Sequence, residues 1–369
     1  MSKTHRKQRY LGEFIDRLES DLATTRLRLG PGLPTNDPFV ATSVLQKAIR
    51  RSDREPAMAA ARSLYNIDRA RLWRRLSIIV FEDFGLSDLE LTATVVAAVC
   101  AKKWRDGLID ETDLIALLID RLLEAPCDRS LDRLYSLAVA VRSSLVFRES
   151  FAGRSAGFRE LMDRVYALVR RCERQVPGQA FWAIQARVCD EALLAMAVQG
   201  TIVEGDLDIC LEGRRASQCA LPVLLPLLKS AARPFRPDRQ VISYKLEPSP
   251  MIGCVPAYAF DARTRAGKFV LGKLLQGDRE LLRIMSYSRA KDPLRALGSL
   301  LFLVEGGRCD REASDVLSDE IKDAAIGCLT GLSRPLVDAA VAKLIVLLPL
   351  LNKLRMRATG TWHILDVIS

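Results

Sequence analysis

Histidine is almost missing from this sequence, and its scarcity excludes several classes of site. The 369 residues include only two histidines, His5 and His363. The nine cysteines form no C-x-x-C pair, so residue spacing assembles no zinc site. Gly267 and Lys268 are followed by Phe269 instead of the serine or threonine that a P-loop needs. The sequence therefore predicts no metal, no cofactor and no catalytic residue, and favours a binding protein over an enzyme.

Aromatic and β-forming residues are also scarce, which argues against a β-rich fold. Aromatics make up 6% of the chain, and no long window is dominated by Val, Ile, Thr or Tyr. Leu, Ala and Arg, which favour helices, are plentiful, and apolar residues recur at helical spacing along most of the chain. We predict an all-α fold, an irregular multi-helix bundle with a long proline-rich loop.

Long uninterrupted apolar runs are absent from the sequence. The most apolar stretch, Val341 to Leu354, is broken by Lys343, Pro349 and Lys353 and is too short to span a bilayer, so we predict a core helix. The basic N-terminus lacks the apolar segment of a secretory signal. The odd number of cysteines, in apolar contexts, favours buried free thiols in a reducing compartment. We predict a cytoplasmic protein without a membrane partner.

Proline and glycine divide the chain. Five prolines between residues 233 and 260 exclude a long helix there, and residues 241–246 leave room for a short strand at most. We predict four consecutive parts: an N-terminal helix and connector (1–42), a helical domain (43–232), a proline-rich loop (233–260) and a C-terminal helical domain (261–369). In the last part we expect helices at 264–276, 278–287, 292–304, 311–330 and 334–354.

A surplus of positive charge favours a polyanionic partner. The chain has 55 Lys and Arg against 45 Asp and Glu, a net charge of +10. One run of arginines surrounds Trp73, as in a nucleic-acid-binding helix. The apolar stripe of the same helix, which includes Leu72 and Leu76, leaves open a second interpretation, in which the arginines form only a solvated face. The candidate nucleic-acid-binding residues are Arg69, Arg71, Arg74, Lys102, Lys103 and Arg105.

Two separated motifs resemble a known family. The first runs from Ser43 to Met58 (SVLQKAIRRSDREPAM) and the second from Arg71 to Asp88 (RLWRRLSIIVFEDFGLSD). Both resemble, in the same order, the helical region that follows the ATPase core in clamp-loader-like AAA+ proteins of the RarA/MgsA type. The resemblance covers roughly residues 43–98, and the ATPase core has no counterpart in the chain. It implies a helical collar that oligomerises, in proteins that work at replication forks and on single-stranded DNA.

The second motif predicts structural roles for its residues. Arg75 and Glu82 fall on one helix two turns apart, and we expect this group, with Asp83, to form ion pairs between adjacent helices. Gly85 is placed to end this helix, and Asp88 is placed to cap the next one.

A second candidate site lies where the proline-rich loop meets a predicted helix. Asp261, Arg263, Thr264, Arg265 and Lys268 can cap that helix and present cations to a phosphate. The candidate site consists of Tyr258, Asp261, Arg263, Arg265 and Lys268. A satisfied, buried turn is the competing interpretation.

These features lead to one hypothesis and two alternatives. The first is a non-catalytic helical assembly protein of DNA metabolism. It would self-associate or dock on an AAA+ partner, and contact single-stranded or replication-fork DNA through a basic surface. The second is an enzyme or small-ligand binder with a site around residues 241–268. The third is a regulator from a phage or other mobile element that binds a host ATPase.

Overall fold

The structure, a computed structural model, describes residues 3–141, 151, 153–175, 186–232 and 239–365. This part of the chain contains sixteen α-helices, one π-helical turn, one 3-10 turn and four short strands. The predicted all-α, multi-helix fold is confirmed. The strands form two antiparallel pairs, β1 with β4 and β2 with β3.

Eleven helices precede the proline-rich loop. They are α1 (Lys3–Thr24), α2 (Pro38–Arg50), α3 (Arg54–Ile79), α4 (Leu89–Cys100), α5 (Lys102–Arg105), α6 (Glu111–Glu124), α7 (Ser130–Val141), α8 (Ala156–Gln175), α9 (Ala186–Val198), α10 (Glu204–Ser217) and α11 (Leu221–Ala232). α3 is interrupted at Asp68, whose φ of −156° and ψ of 84° are not helical. It continues into a π-helical turn, Val80–Phe84, which Gly85 ends.

The remaining elements combine short strands with five helices. They are β1 (Gln240–Ser243), β2 (Met251–Ile252), β3 (Val255–Pro256), a 3-10 turn (Ala257–Ala259), α12 (Arg265–Gly277), α13 (Arg279–Ser286), α14 (Pro293–Val304), β4 (Arg311–Ser314), α15 (Val316–Thr330) and α16 (Arg334–Leu365). The short strand expected within 241–246 is therefore present.

Aspartate side chains determine where five of these helices begin. Each accepts hydrogen bonds from backbone amides in the first turn, which otherwise have no partner within the helix. The five are Asp37 for α2, Asp88 for α4, Asp110 for α6, Asp278 for α13 and Asp292 for α14. These starts are encoded locally, and the predicted cap at Asp88 is confirmed.

The chain forms two compact units, each assembled from three segments. The first comprises Met1–Leu29, Ala70–Ser243 and Arg311–Ala325. The second comprises Gly30–Arg69, Tyr244–Asp310 and Ile326–Ser369. The chain thus alternates between the units, whereas the predicted division ran through four consecutive parts drawn from proline and glycine content.

α4 is the central helix of the first unit. Residues 91–98 are all buried, and the helix packs against α1, α6 and α10. Its sequence is rich in Ala and Val, whose small side chains allow neighbours on every face.

Four helices form the core of the second unit: α12, α13, α14 and α16. Their buried residues recur at helical spacing, for example Val270, Leu271 and Leu274 on α12. The opposite faces of α12 and α13 are exposed.

α16 is longer than predicted and only partly buried. One face packs against α12, α13 and α14, so the predicted core helix is correct for that face. The predicted length rested on residues 341–354 alone, and the helix continues on both sides of that run. By length and composition, Arg334–Gly360 is the one segment of the described helices that is able to cross a membrane. A single such helix is weak evidence for a span.

Two local predictions differ from the structure. Residues 311–314 form β4 instead of the first turn of a helix, since they pair with β1. α10 was not predicted from the sequence. The periodicity of the sequence also predicts helices at 131–147 and 179–198, and their parts at 142–147 and 179–185 lie outside the described residues, as does the loop segment 233–238.

Candidate functional site

Lys47 holds the turn that precedes α12. Its ammonium lies 2.5 Å from Oδ2 of Asp261 and donates to the carbonyl of Tyr258 at 2.6 Å and to Oγ of Ser43 at 2.9 Å. Burial lowers the pKa of Lys47 to about 8, although the charge of Asp261 opposes this shift. Asp261 is thus engaged by a buried cation of the same unit.

Arg355 fixes the same turn from α16. Its side chain is fully buried, and its Nε and Nη2 donate to the carbonyl of Phe260 at 3.1 and 2.9 Å. The guanidinium also binds both carboxylate oxygens of Glu305, at 3.0 and 2.7 Å. Because Gly267 has no Cβ, α12 approaches the backbone of residues 260–261 more closely than any other residue would allow. The turn is therefore held from both sides.

Tyr258 lies inside this structure. It is 1% exposed, and the guanidinium of Arg51 lies 5.3 Å from its ring centroid. Burial raises the pKa of Tyr258, and the neighbouring Asp53 carboxylate raises it further. Burial likewise raises the pKa of Asp53. Arg51 also donates to the carbonyl of Glu247 at 2.6 Å.

The predicted loop site is therefore divided in two. Tyr258 and Asp261 belong to a buried turn, whereas Arg263, Arg265 and Lys268 are exposed. The structure does not bring these five residues together as one polar pocket. The competing interpretation from the sequence, a buried turn, describes the first two.

The residues that carry the family resemblance are largely structural. Asp83 is fully buried, lies 3.3 Å from Nε of Arg129, and its carbonyl accepts from the amide of Asp128 at 2.7 Å. Gly85 has a φ of +40°, a conformation that favours glycine. Asp88 caps α4, and Arg75 and Glu82 are half-buried. Asp83 thus forms an ion pair with Arg129, which lies just before α7 and not on a helix, so the predicted pairing between helices stays a prediction.

One predicted nucleic-acid-binding residue is buried. Arg105 is 6% exposed, its Nε lies 3.1 Å from Oε1 of Glu111, and its guanidinium stacks 4.0 Å from the ring of Trp73. Trp73 is 4% exposed and donates to the same carboxylate at 3.0 Å. Placing Arg105 on a binding surface was wrong, because its cation compensates Glu111 inside the first unit.

The other predicted basic residues reach the surface to different extents. Lys102 and Lys103 are exposed. Arg74 is exposed and lies 3.3 Å from the side chain of Gln218. Arg69 is exposed and lies 6.0 Å from the ring centroid of Tyr65. Arg71 is half-buried.

A further concentration of exposed positive charge was not among the predicted nucleic-acid-binding residues. Between residues 263 and 295 the sequence has nine basic residues against three acidic ones, and all nine are exposed. Apart from Arg265, none of them has an ion pair within the described part of the chain. We call these nine side chains the basic surface: Arg263, Arg265, Lys268, Lys273, Arg279, Arg283, Arg289, Lys291 and Arg295.

The three acids of this segment are engaged elsewhere. Asp278 caps α13 and lies 3.1 Å from the ammonium of Lys343, which also lies 2.8 Å from Glu280. The amide of Leu281 and the ammonium of Lys343 lower the pKa of Asp278. Asp292 caps α14. The three carboxylates thus cap helices or pair with Lys343 of α16. The nine basic side chains face solvent.

The basic surface follows one face of each helix. On α12, Arg265, Lys268 and Lys273 recur at helical spacing, opposite the buried residues of that helix. On α13, Arg279 and Arg283 do the same. A count of charged residues over 263–295 would have located the basic surface from the sequence alone.

No metal site appears in the described residues, where no group of three His, Cys, Asp or Glu side chains is close enough to hold an ion. Comparison of the chain with known protein families, characterised proteins and solved structures found no match. The resemblance to the clamp-loader-like collar stays a prediction.

Proposed function

We propose that this chain is a non-catalytic helical assembly protein of DNA metabolism that binds nucleic acid through the basic surface. The observation that carries the proposal is the charge balance of residues 263–295, where nine exposed cations accompany three acids that are used internally. Clustered, uncompensated Lys and Arg side chains attract phosphate backbones and release their counterions.

The buried turn supports a binding role over an enzymatic one. A catalytic carboxylate must reach a substrate, but Asp261 is engaged by Lys47 at 2.5 Å. Tyr258 is 1% exposed. An enzyme built from these two residues would first have to open the turn that Lys47 and Arg355 hold closed.

The exposed face of α16 supports self-association. A subset of its exposed residues lies at alternating spacings of three and four, the spacing of a helix that pairs with another helix. They are Ala339, Ala342, Val346, Pro349, Lys353, Met356 and Gly360. In an antiparallel pair centred between Val346 and Pro349, Lys353 lies opposite Ala342 instead of another Lys353. We therefore propose a second copy of the chain as the partner.

Binding is tested by fluorescence anisotropy with labelled oligonucleotides over a range of salt concentrations. We expect affinity to fall linearly with the logarithm of salt concentration. The double variant Lys268→Gln/Arg283→Gln is expected to lower the slope by about 0.7–0.9 for each lost phosphate contact. Arg187→Gln is the matched control, because Arg187 is exposed but pairs with Glu191 in the first unit.

A parallel variant, Lys102→Gln/Lys103→Gln, tests the surface predicted first. If only this variant loses binding to the oligonucleotide, the nucleic-acid-binding surface includes α5 and not the basic surface. If the anisotropy of the oligonucleotide is the same with every variant and does not change with salt concentration, nucleic-acid binding is contradicted. Little affinity for DNA together with a one-to-one complex with an AAA+ ATPase would favour the regulator of a host ATPase.

Self-association is tested by light scattering coupled to size exclusion. Val346→Glu is expected to convert a dimer into a monomer, while Val316→Glu, at another exposed valine, leaves the dimer intact. A monomeric wild-type chain would overturn the α16 proposal. Flotation with lipid vesicles would instead assign the exposed face to a bilayer.

A further inference from the structure

Two large aromatic side chains lie among the cations of the basic surface. Phe269 on α12 is 52% exposed, and Tyr287, which ends α13, is 59% exposed. Aromatic side chains are usually buried because their area dominates core packing. Neither ring belongs to the hydrophobic core of the second unit.

Each ring lies four positions from a cation along the chain. Phe269 follows Lys268 directly, and the ammonium of Lys273 lies 5.7 Å from its ring centroid. Tyr287, the residue that follows α13, lies four positions after Arg283 and is exposed. An exposed aromatic ring near a cation thus occurs both on α12 and at the end of α13, and these two helices pack against each other.

Gly272 adds an independent observation on the same face of α12. It has no positive φ, and a Cβ at this position would meet nothing within 4 Å. A glycine in the middle of a helix destabilises it relative to alanine, so folding does not explain this residue. Its position between Phe269 and Lys273 leaves the helix backbone open to close approach by a ligand.

We infer that the ligand of the basic surface is single-stranded nucleic acid, whose bases stack on Phe269 and Tyr287 while its phosphates contact the surrounding Lys and Arg side chains. This inference rests on the proposed function. Stacking requires unpaired bases, because the faces of paired bases are covered by their neighbours in a duplex. Cations alone would bind a duplex equally well.

A bilayer surface fits these helices less well. An interfacial helix buries a broad apolar face in the lipid. The apolar face of α12, formed by Val270, Leu271 and Leu274, is instead buried in the protein core. An acidic peptide would satisfy the cations but not two separate aromatic rings.

The experiment compares four probes of equal length: single-stranded DNA, single-stranded RNA of the same sequence, the DNA duplex, and poly-glutamate. Phe269→Ala and Tyr287→Ala are each expected to weaken single-strand binding by about 5- to 150-fold, the usual range for one stacked base. Duplex binding and the salt slope should not change. The ratio of DNA to RNA affinity then identifies the natural strand.

Gly272→Ala provides a second test in which misfolding cannot mimic loss of binding. This variant should raise the melting temperature and, at the same time, weaken single-strand binding. A matched aromatic control is Tyr166→Ala, since Tyr166 lies on α8 in the first unit and stacks with Arg170.

The possible results separate the inference from the function on which it rests. If Lys268→Gln/Arg283→Gln weakens every nucleic-acid probe but Phe269→Ala and Tyr287→Ala change none, stacking is wrong and charge-only binding stands. If the charge variants change nothing, the proposed function itself fails. Poly-glutamate binding as tight as single-stranded DNA would assign the surface to acidic proteins.

Discussion

The ammonium of Lys47 lies 2.5 Å from the carboxylate of Asp261, although 214 positions separate the two residues along the chain. Both belong to motifs that stand out in the sequence, one in the segment resembling a clamp-loader collar and one in the loop-to-helix segment. Their meeting gives both motifs a structural role. Lys47 and Arg355 together bind the turn on which α12 begins, and α12 carries a third of the basic surface.

The pKa of Lys47 predicts stability that rises with pH. Burial lowers this pKa from 10.5 to about 8, so between these values the unfolded chain holds a proton that the folded chain has released. The free energy of unfolding attributable to Lys47 therefore increases between pH 8 and pH 10.5. Urea unfolding of the wild type and of Lys47→Met across this window measures it. A difference between the two proteins that stays constant with pH would contradict the shift.

Substitution of Asp83 tests whether the second of the two motifs, Arg71 to Asp88, has a structural role. Asp83→Asn removes a fully buried negative charge and leaves the buried guanidinium of Arg129 undercompensated. We expect a loss of about 3–5 kcal/mol in the free energy of unfolding. The control, Glu90→Gln, removes an exposed partner of Arg17 and should cost less than about 1 kcal/mol. Similar losses in both variants would mean that burial of Asp83 is not important.

Two glycines of α12 should respond to alanine in opposite directions. A Cβ on Gly267 would collide with the backbone of Asp261, so Gly267→Ala should destabilise the fold by about 1–3 kcal/mol. A Cβ on Gly272 has open space, so Gly272→Ala should stabilise it by about 0.5–1 kcal/mol. Thermal unfolding measures both. A Gly267→Ala variant as stable as the wild type would show that α12 does not approach the turn closely.

The cysteines should label in an order set by burial. Cys100 and Cys254 are exposed and should react first with a maleimide. Cys189 and Cys210 are buried, and burial raises the pKa of both thiols, so little thiolate is present at neutral pH. Mass spectrometry after limited labelling of the native protein checks the order. Early modification of Cys210 would indicate that α10 opens readily.

The thiols also correct part of the sequence interpretation. All nine are free, as predicted, but exposure differs among them. The apolar run before Cys100 suggested burial, yet this residue ends α4, where the last turn reaches solvent. Position within a helix is visible in the sequence, whereas the neighbours that cover its last turn are not.

Helix positions were largely predictable because their signals are local. Aspartate caps such as Asp88, glycines such as Gly85, and apolar residues at helical spacing each act within a few residues of chain. The predicted helices near α12, α13 and α14 agree with the structure to within one or two residues. β4 was missed because its pairing with β1 joins segments about seventy residues apart.

By itself, the sequence determined the helical class, most helix boundaries and the net positive charge, since composition and short-range patterns carry these properties. Only the tertiary structure decided which charges face solvent. It buried Arg105 against Glu111 and Asp261 against Lys47, and it drew Asp278 and Glu280 towards Lys343. Ion pairs between distant segments cannot be read from local sequence. Because the acids are engaged in this way, the cations of α12 and α13 remain on the surface together with Phe269 and Tyr287.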